Sequence, residues 1–322
     1  MGYHSKASSR QRAPHEERPS GGASERQDLY GQVTNRIIAE LEEGRLPWVQ
    51  PWDSAEASTG LPRNASTGRA YSGINILILW AAVIDGRHSR QTWLTYKQCL
   101  ALGGHVREGA QGTSICYADR FIPKAEQARA AEQKVDARQV VFLRRFTVFN
   151  IDQCEGLPTP LADHVEPLLA CDILPHADAL IDATGADFRI GGDRAFYVPS
   201  ADFIAVPPPQ AYHYPIDWYR TAFHELGHWS GHASRLNRDL GSANGDAWYA
   251  REELVAEMTS AFVCAELAIK PSVRHADYIG SWLEVLRNDP RAIFRAASQA
   301  SKAADYLLAC RPTHAHDAGD PA

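Results

Sequence analysis

His224-Glu225-Leu226-Gly227-His228 is the stretch that decides how this chain is read. On a helix of about 3.6 residues per turn, positions four apart stand one above the other, so His224 and His228 can turn imidazole nitrogens toward one metal ion. Glu225 lies one step round, where a carboxylate can take the proton from an attacking water. That is the part the glutamate plays in the HExxH pattern of zinc hydrolases. The flanks agree with a helix. Pro215 suits a first helical turn, where its missing N–H would have had no partner. Ile216, Tyr219, Phe223 and Leu226 recur at three- and four-residue steps as a buried face.

A tetrahedral zinc site takes a third protein ligand, and a hydrolytic one leaves its last position open. The nearest source is Arg251-Glu252-Glu253-Leu254-Val255-Ala256-Glu257, the start of an apolar-periodic run that stops at Lys270-Pro271. Glu253 and Glu257 share a helical face, so one can bind the ion while the other accepts the N–H of a ligand histidine and fixes its tautomer. The expected order is Glu253 as ligand and Glu257 behind it, which resembles the order in thermolysin-like zinc peptidases; the spacing alone allows the reverse. His232, four residues beyond His228, is an alternative ligand, but Gly227 and Gly231 weaken a helix there. Zn2+ is the expected ion, with another divalent ion such as Mn2+ as the alternative. In a working peptidase site Glu225 would serve as base and then acid, and Tyr249 or His232 would steady the oxyanion.

With 322 residues, 44% of them hydrophobic, the chain can bury more than one core, and its length favours two domains. The longest apolar stretch, residues 74–84 with Asn75 inside it, is far shorter than the roughly 20 residues that span a bilayer. Residues 1–27 lack an apolar segment and read as a disordered tail without a secretory signal, which predicts a cytoplasmic protein and no membrane partner. The six cysteines form no CxxC pair and read as reduced packing residues.

The formal charge of −6 argues against nucleic acid until its distribution is read. Residues 60–150 hold 13 Lys and Arg against 6 Asp and Glu, a local charge of +7, so the remainder carries −13. A basic block inside an acidic protein suits a polyanion partner. Single-stranded nucleic acid is held by cations along its phosphates and by aromatic faces under its bases. The candidates here are Trp48, Trp52, Tyr71 and Trp93, interleaved with Arg63, Arg69, Arg90, Lys97, Arg107, Arg144 and Arg145; Tyr96 and Tyr117 belong to the same aromatic group.

Periodicity predicts an amphipathic helix from Asp28 to Gly44, a buried helix to about Ile84, and a further helix opening at Trp93. Short strands are predicted at 113–117, 140–142 and 145–150. A broken helix is expected over 161–180, and a hairpin joins 188–190 to 195–198 around Gly191-Gly192-Asp193. A sheet ahead of the HExxH helix would let an edge strand hold an extended peptide. The fold class is therefore α+β in two domains.

Longer motifs carry a family resemblance. Leu46-Pro47-Trp48, Tyr71-Ser72-Gly73-Ile74-Asn75, Val148-Phe149-Asn150-Ile151-Asp152-Gln153 and Glu155-Gly156-Leu157-Pro158 resemble the N-terminal domain of ArdC-type antirestriction proteins, which also begins plasmid TraC primases. His224 to His232, Ser234-Arg235-Leu236-Asn237-Arg238, residues 249–257 and Ala303-Ala304-Asp305-Tyr306-Leu307 resemble the zincin-type metallopeptidase domain of the same family. The resemblance covers roughly residues 28–309. It implies a single-stranded DNA-binding domain over 28–158, a zincin-like domain over 159–309 and a tail from 310 to 322. It also implies a protein carried by mobile elements that protects entering DNA from restriction, either by shielding the strand or by cleaving a host protein.

Overall fold

A computed structural model describes residues 24–48, 60–133, 140–158, 174–240, 245–269 and 278–311. Trp52, Cys171, most of both expected tails and the segment 161–173 lie outside the described residues. Helix α1 (Ser24–Glu42) begins earlier than Asp28 and buries Leu29, Ile37 and Leu41; Gly44, at φ +72°, turns the chain out of it. Helix α2 (Ile74–Asp85) is apolar on nearly every side because it is sandwiched between a sheet and the C-terminal helices.

The N-terminal sheet runs in the order β1 (Arg63–Asn64), β2 (Thr92–Leu94), β5 (Val140–Asn150), β4 (Thr113–Phe121). The helix expected to open at Trp93 is corrected: 92–94 pair with β5, and Thr95 then caps the short helix α3 (Tyr96–Ala101) through a capping box with Gln98. The runs 140–142 and 145–150 are one continuous strand. It pairs antiparallel with β4 from Thr113↔Val148 to Phe121↔Val140. A small ribbon joins β3 (His105–Val106) to β6 (Cys154–Glu155), and helix α4 (Lys124–Gln133) follows β4. Asn75 of α2 fixes the outer edge of β4, donating to Cys116 O at 2.7 Å and accepting from Cys116 N at 2.8 Å.

The second part starts at α5 (Pro175–Ala183), where Pro175 opens the helix rather than breaking it. The expected hairpin is corrected too. Strands β7 (Asp187–Ile190) and β8 (Phe196–Val198) do not pair with each other, because β9 (Phe203–Val206) lies between them, parallel to β7 and antiparallel to β8. Ile204 and Val206 are fully buried and make β9 the central strand. Helices α6 (Asp217–Ser230), α7 (Asp246–Glu266), α8 (Ile279–Asn288) and α9 (Ala292–Leu308) complete the α+β architecture.

The two parts share one hydrophobic core. Trp48 meets Trp282 edge-on at 5.3 Å, Tyr30 meets Phe294 at 4.6 Å, and Trp80 of α2 meets Phe262 of α7 at 5.7 Å. Thr34 Oγ1 donates to Pro290 O at 2.7 Å, and Gly73 N donates to Ser301 Oγ at 2.7 Å. Cys99, Cys116, Cys154 and Cys264 are buried free thiols and Cys310 is a half-buried one. Among the described residues no helix is long and apolar enough to cross a membrane.

Candidate metal centre and nucleic-acid face

Helix α6 is buried from Asp217 through Gly227, so the side of it that carries the histidines must meet another element, and that element is α7. The two helices approach closely at Gly227. A Cβ there would stand 3.1 Å from Ala256 Cα and 3.3 Å from Thr259 Cβ. The glycine read in the sequence as a weak point of the helix is thus where α7 comes near enough to bring its carboxylates to the imidazoles. The helix ends at Ser230, with Gly231 as its cap.

His224 Nε2 and His228 Nε2 lie 3.2 Å apart. Glu253 bridges them, with Oε2 at 3.4 Å from His224 Nε2 and Oε1 at 3.3 Å from His228 Nε2. One donor atom from each of the three residues falls within 4.8 Å of the others. Behind the ring nitrogens stand two further carboxylates. Glu257 Oε1 is 3.2 Å from His224 Nδ1, and Glu252 Oε1 is 3.4 Å from His228 Nδ1. A carboxylate at Nδ1 holds the proton there and leaves Nε2 as a lone-pair donor, so the inward-facing set of two imidazoles and one carboxylate fits a divalent cation.

Each outer carboxylate is itself anchored by an arginine. Arg220 donates to Glu257 at 2.7 Å with both side chains at 1% exposure. Arg238 donates to Glu252 at 2.7 Å and also to Gly227 O and Ser230 Oγ, closing the end of α6. Burial alone would lower the pKa of both histidines. Glu253 and Glu257 instead raise His224 to about 10, and Glu252 and Glu253 raise His228 to about 9. Burial would raise Glu253, but the two imidazoles hold its carboxyl well below the usual range. A cation entering this set therefore displaces protons.

A cleft of about 1090 Å3 opens over the three donors. Glu225, 6% exposed, lines it beside His224. Tyr249 stands one helical turn before Glu253 and lines the cleft, and its hydroxyl is 3.4 Å from that of Tyr278. His232 also lines the cleft, beyond the end of α6, with Nδ1 at 2.8 Å from Ser234 Oγ. It is not among the converging donors. Sequence reasoning missed Glu252, Arg220 and Arg238. Arg220 had left a signal, since it stands one helical turn before His224 on the face that carries both histidines.

Comparisons with known proteins bear on both halves. A family model described as the N-terminal domain of the anti-restriction factor ArdC matches residues 27–149, and one for zincin-like metallopeptidases matches residues 175–299. An uncharacterized protein, y4eC of Sinorhizobium fredii (strain NBRC 101917 / NGR234), is 37% identical over 88% of this chain and 92% of its own length. A DNA primase TraC of Escherichia coli is 40% identical over 86% of this chain. The chain spans only 20% of that primase and 28% of a second TraC. The metal-free crystal structure of the antirestriction protein ArdC from plasmid R388 superposes with a TM-score of 0.75 at 38% identity, covering 88% of this chain and 98% of that one. The chain belongs to the ArdC antirestriction family. The Mn(II)-bound crystal structure of the R388 ArdC matches with a TM-score of 0.72 over 89% of this chain. His224, His228 and Glu253 form the divalent-metal site of this ArdC-type chain.

The ArdC-type N-terminal part corrects several stacking candidates. Trp48 is 1% exposed against Trp282, Trp93 is fully buried, and Tyr71 is 6% exposed with Asn64 on its hydroxyl. None of the three has a face left for a base. Several arginines are engaged: Arg63 with Glu266, Arg107 with Glu155, and Arg145 with Gln32, while Arg90 is half-buried 3.9 Å from Asp152. Arg69 and Lys97 are exposed. The aromatic surface lies elsewhere. Tyr117 and Phe146 are 46% and 39% exposed, stand edge-to-face at 5.5 Å, and share one face of the β4–β5 pair with Arg144, whose guanidinium sits 5.6 Å over the Phe146 ring. Burial raises the Tyr117 pKa and nearby Arg69 offsets part of that rise. Phe146 was legible as the strand position two after Arg144.

Proposed function

We propose that this chain is an antirestriction protein of a mobile element, working in the cytoplasm or after delivery into a recipient cell, that binds single-stranded DNA and shields it from restriction. The observation that carries the proposal is the exposed Tyr117–Phe146 pair with Arg144 beside it, on a domain of ArdC type. Edge and face of the two rings suit unstacked bases, and Arg144 and Arg69 suit the phosphates between them. In this reading residues 28–158 hold the DNA and 159–309 hold the metal. Two imidazoles and one carboxylate suit Zn2+, and Mn2+ is the ion present in the R388 relative.

A second reading is favoured by Glu225 at the cleft floor: an active metallopeptidase that cleaves a host protein, with the DNA-binding part setting its location. A bound divalent ion would supply Lewis-acid polarisation of the scissile carbonyl. Glu225 would take the proton of the attacking water and return it to the leaving amine. Tyr249 and His232 would donate to the developing oxyanion, and Glu257 and Glu252 would hold the two imidazoles in one tautomer.

Anisotropy titration with fluorescent oligonucleotides tests the first reading. Single strands should bind more tightly than duplex, with affinity falling steeply as salt rises; duplex preference or a flat salt response defeats it. Plasmid transfer into a restricting recipient separates the two readings. Full protection by a metal-retaining Glu225→Gln chain excludes turnover from the mechanism.

A further inference from the structure

We infer that the cleft over the metal centre selects an extended polypeptide with a large aromatic side chain next to the reacting amide and a basic flank, and rejects nucleic acid. This deepens the peptidase reading and rests on it. The first support is the backbone on one wall. In the order β7-β9-β8, strand β8 has β9 on one side and no strand on the other among the described residues, so its outer edge can take an added strand. That edge is stiffly held. Tyr197 donates its hydroxyl to Asp202 at 2.8 Å, and Arg235 grips the same carboxylate at 3.0 Å while stacking on Trp229.

The second support is the aromatic lining. Phe196 is 44% exposed and Tyr249 51% exposed, although both border a cleft. The opposite wall is rigid: the Tyr249 and Tyr278 rings lie 6.1 Å apart, and Tyr278 backs onto the fully buried Trp282 at 5.9 Å. Trp282 in turn donates to Ala250 O at 3.0 Å. Rings held open to solvent by a fixed scaffold gain by covering, at about 25 cal/mol per Å2 of apolar surface, and an aromatic side chain offers both area and edge-to-face geometry.

Charge decides between classes of polymer. In the lining Glu252 and Glu253 are paired with Arg238 and the two histidines, which leaves Asp246 as the exposed acidic charge at the mouth. A phosphate chain would be repelled by Asp246 at the mouth, whereas a Lys or Arg flanking the aromatic residue would pair with it. The exposed cations and rings on the β4–β5 face show the opposite pattern, so the two polymers have separate berths.

The test uses the full chain carrying Glu225→Gln, loaded with metal, so that binding is read without cleavage. Fluorescent decapeptides identical but for Phe or Ser at the central position, each with Lys or Glu flanks, are titrated with and without saturating oligo-dT. The Phe peptide should bind about tenfold or more tighter than the Ser peptide, Lys flanks tighter than Glu flanks, and oligo-dT should leave both affinities unchanged. Phe196→Ser should erase most of the discrimination while metal content and single-strand affinity stay as they were. Equal binding of Phe and Ser peptides, preference for Glu flanks, displacement by oligo-dT, or no peptide binding overturns the inference. Selective binding by this variant without cleavage by the unsubstituted chain would sink the peptidase reading and leave the selectivity standing.

Discussion

The metal centre and the β4–β5 face solve opposite electrostatic problems. In the centre, Glu252, Glu253 and Glu257 face two histidines and two arginines, all largely buried beneath the cleft, and each carboxylate has a cationic partner within 3.4 Å. On the face, Arg144 and Arg69 remain at the surface beside half-exposed rings. A buried charge is affordable only when its partner is fixed, so the centre is over-determined by pairing; a surface cation costs little and is held loosely. The largest expected effects of substitution therefore belong to the centre, and the smallest to surface pairs.

Glu257→Leu should have the largest effect, since it leaves Arg220 buried without its anion. The expected loss is about 3–5 kcal/mol of unfolding free energy, measured by urea denaturation of the metal-free chain. Adding Arg220→Met should restore much of that stability but not the metal affinity. If the single substitution cost no more than a surface pair does, the contrast between the two regions would fail. Next comes Glu253→Ala, which removes a ligand and should weaken divalent-metal binding by more than the roughly 10–100-fold that an outer partner is worth. Calorimetric titration checks it, and single-strand affinity should stay unchanged. A parallel fall in both would mean that the regions are not separate.

What the sequence made legible follows the same division. His224, Glu225 and His228 lie on one helix whose geometry is fixed by the backbone, and Glu253 sits on the next, so local spacing was enough to gather them. Glu252 stands behind His228 and is held there by Arg238, which folds back from the loop after α6, a contact that no periodicity reports. Strand β2 was hidden for a similar reason: Trp93 pairs with Asn150, far along the chain, and its local pattern passes for a helix start. Interleaved aromatic and basic residues marked the N-terminal part as a polyanion binder, but composition does not say which face an indole takes. Trp48 and Trp93 went to the core, where an indole buries a large apolar area, while Tyr117 and Phe146 stayed outside.

Tyr117→Ala and Phe146→Ala sharpen the comparison from the other side. Each should cost about 1–3 kcal/mol of single-strand binding, the usual worth of one stacked base, with metal affinity unmoved. Anisotropy titration reads the loss directly. Trp93→Phe, by contrast, should change stability and leave DNA affinity at constant folding; a specific loss of DNA binding there would return the buried indole to the interface.

The smallest effect is expected at an ion pair between the N-terminal sheet and α7. Arg63 in β1 donates to both carboxylate oxygens of Glu266, the last residue of α7, at 2.6 and 2.7 Å. Both side chains are partly open to solvent, so breaking the pair should change stability by no more than about 1 kcal/mol. Its effect on binding has a sign. Glu266 occupies a guanidinium that a phosphate could otherwise take, so Glu266→Gln should tighten single-strand binding a few-fold and steepen its logarithmic salt dependence by about 0.7, the share of one phosphate contact. The same helix carries Glu253 at its other half. If Glu266→Gln also shifted metal affinity, the DNA and metal sites would be coupled through α7, and by linkage DNA would have to change metal affinity by the same factor that metal changes DNA affinity. An unchanged metal isotherm would leave α7 as a rigid strut between two independent sites.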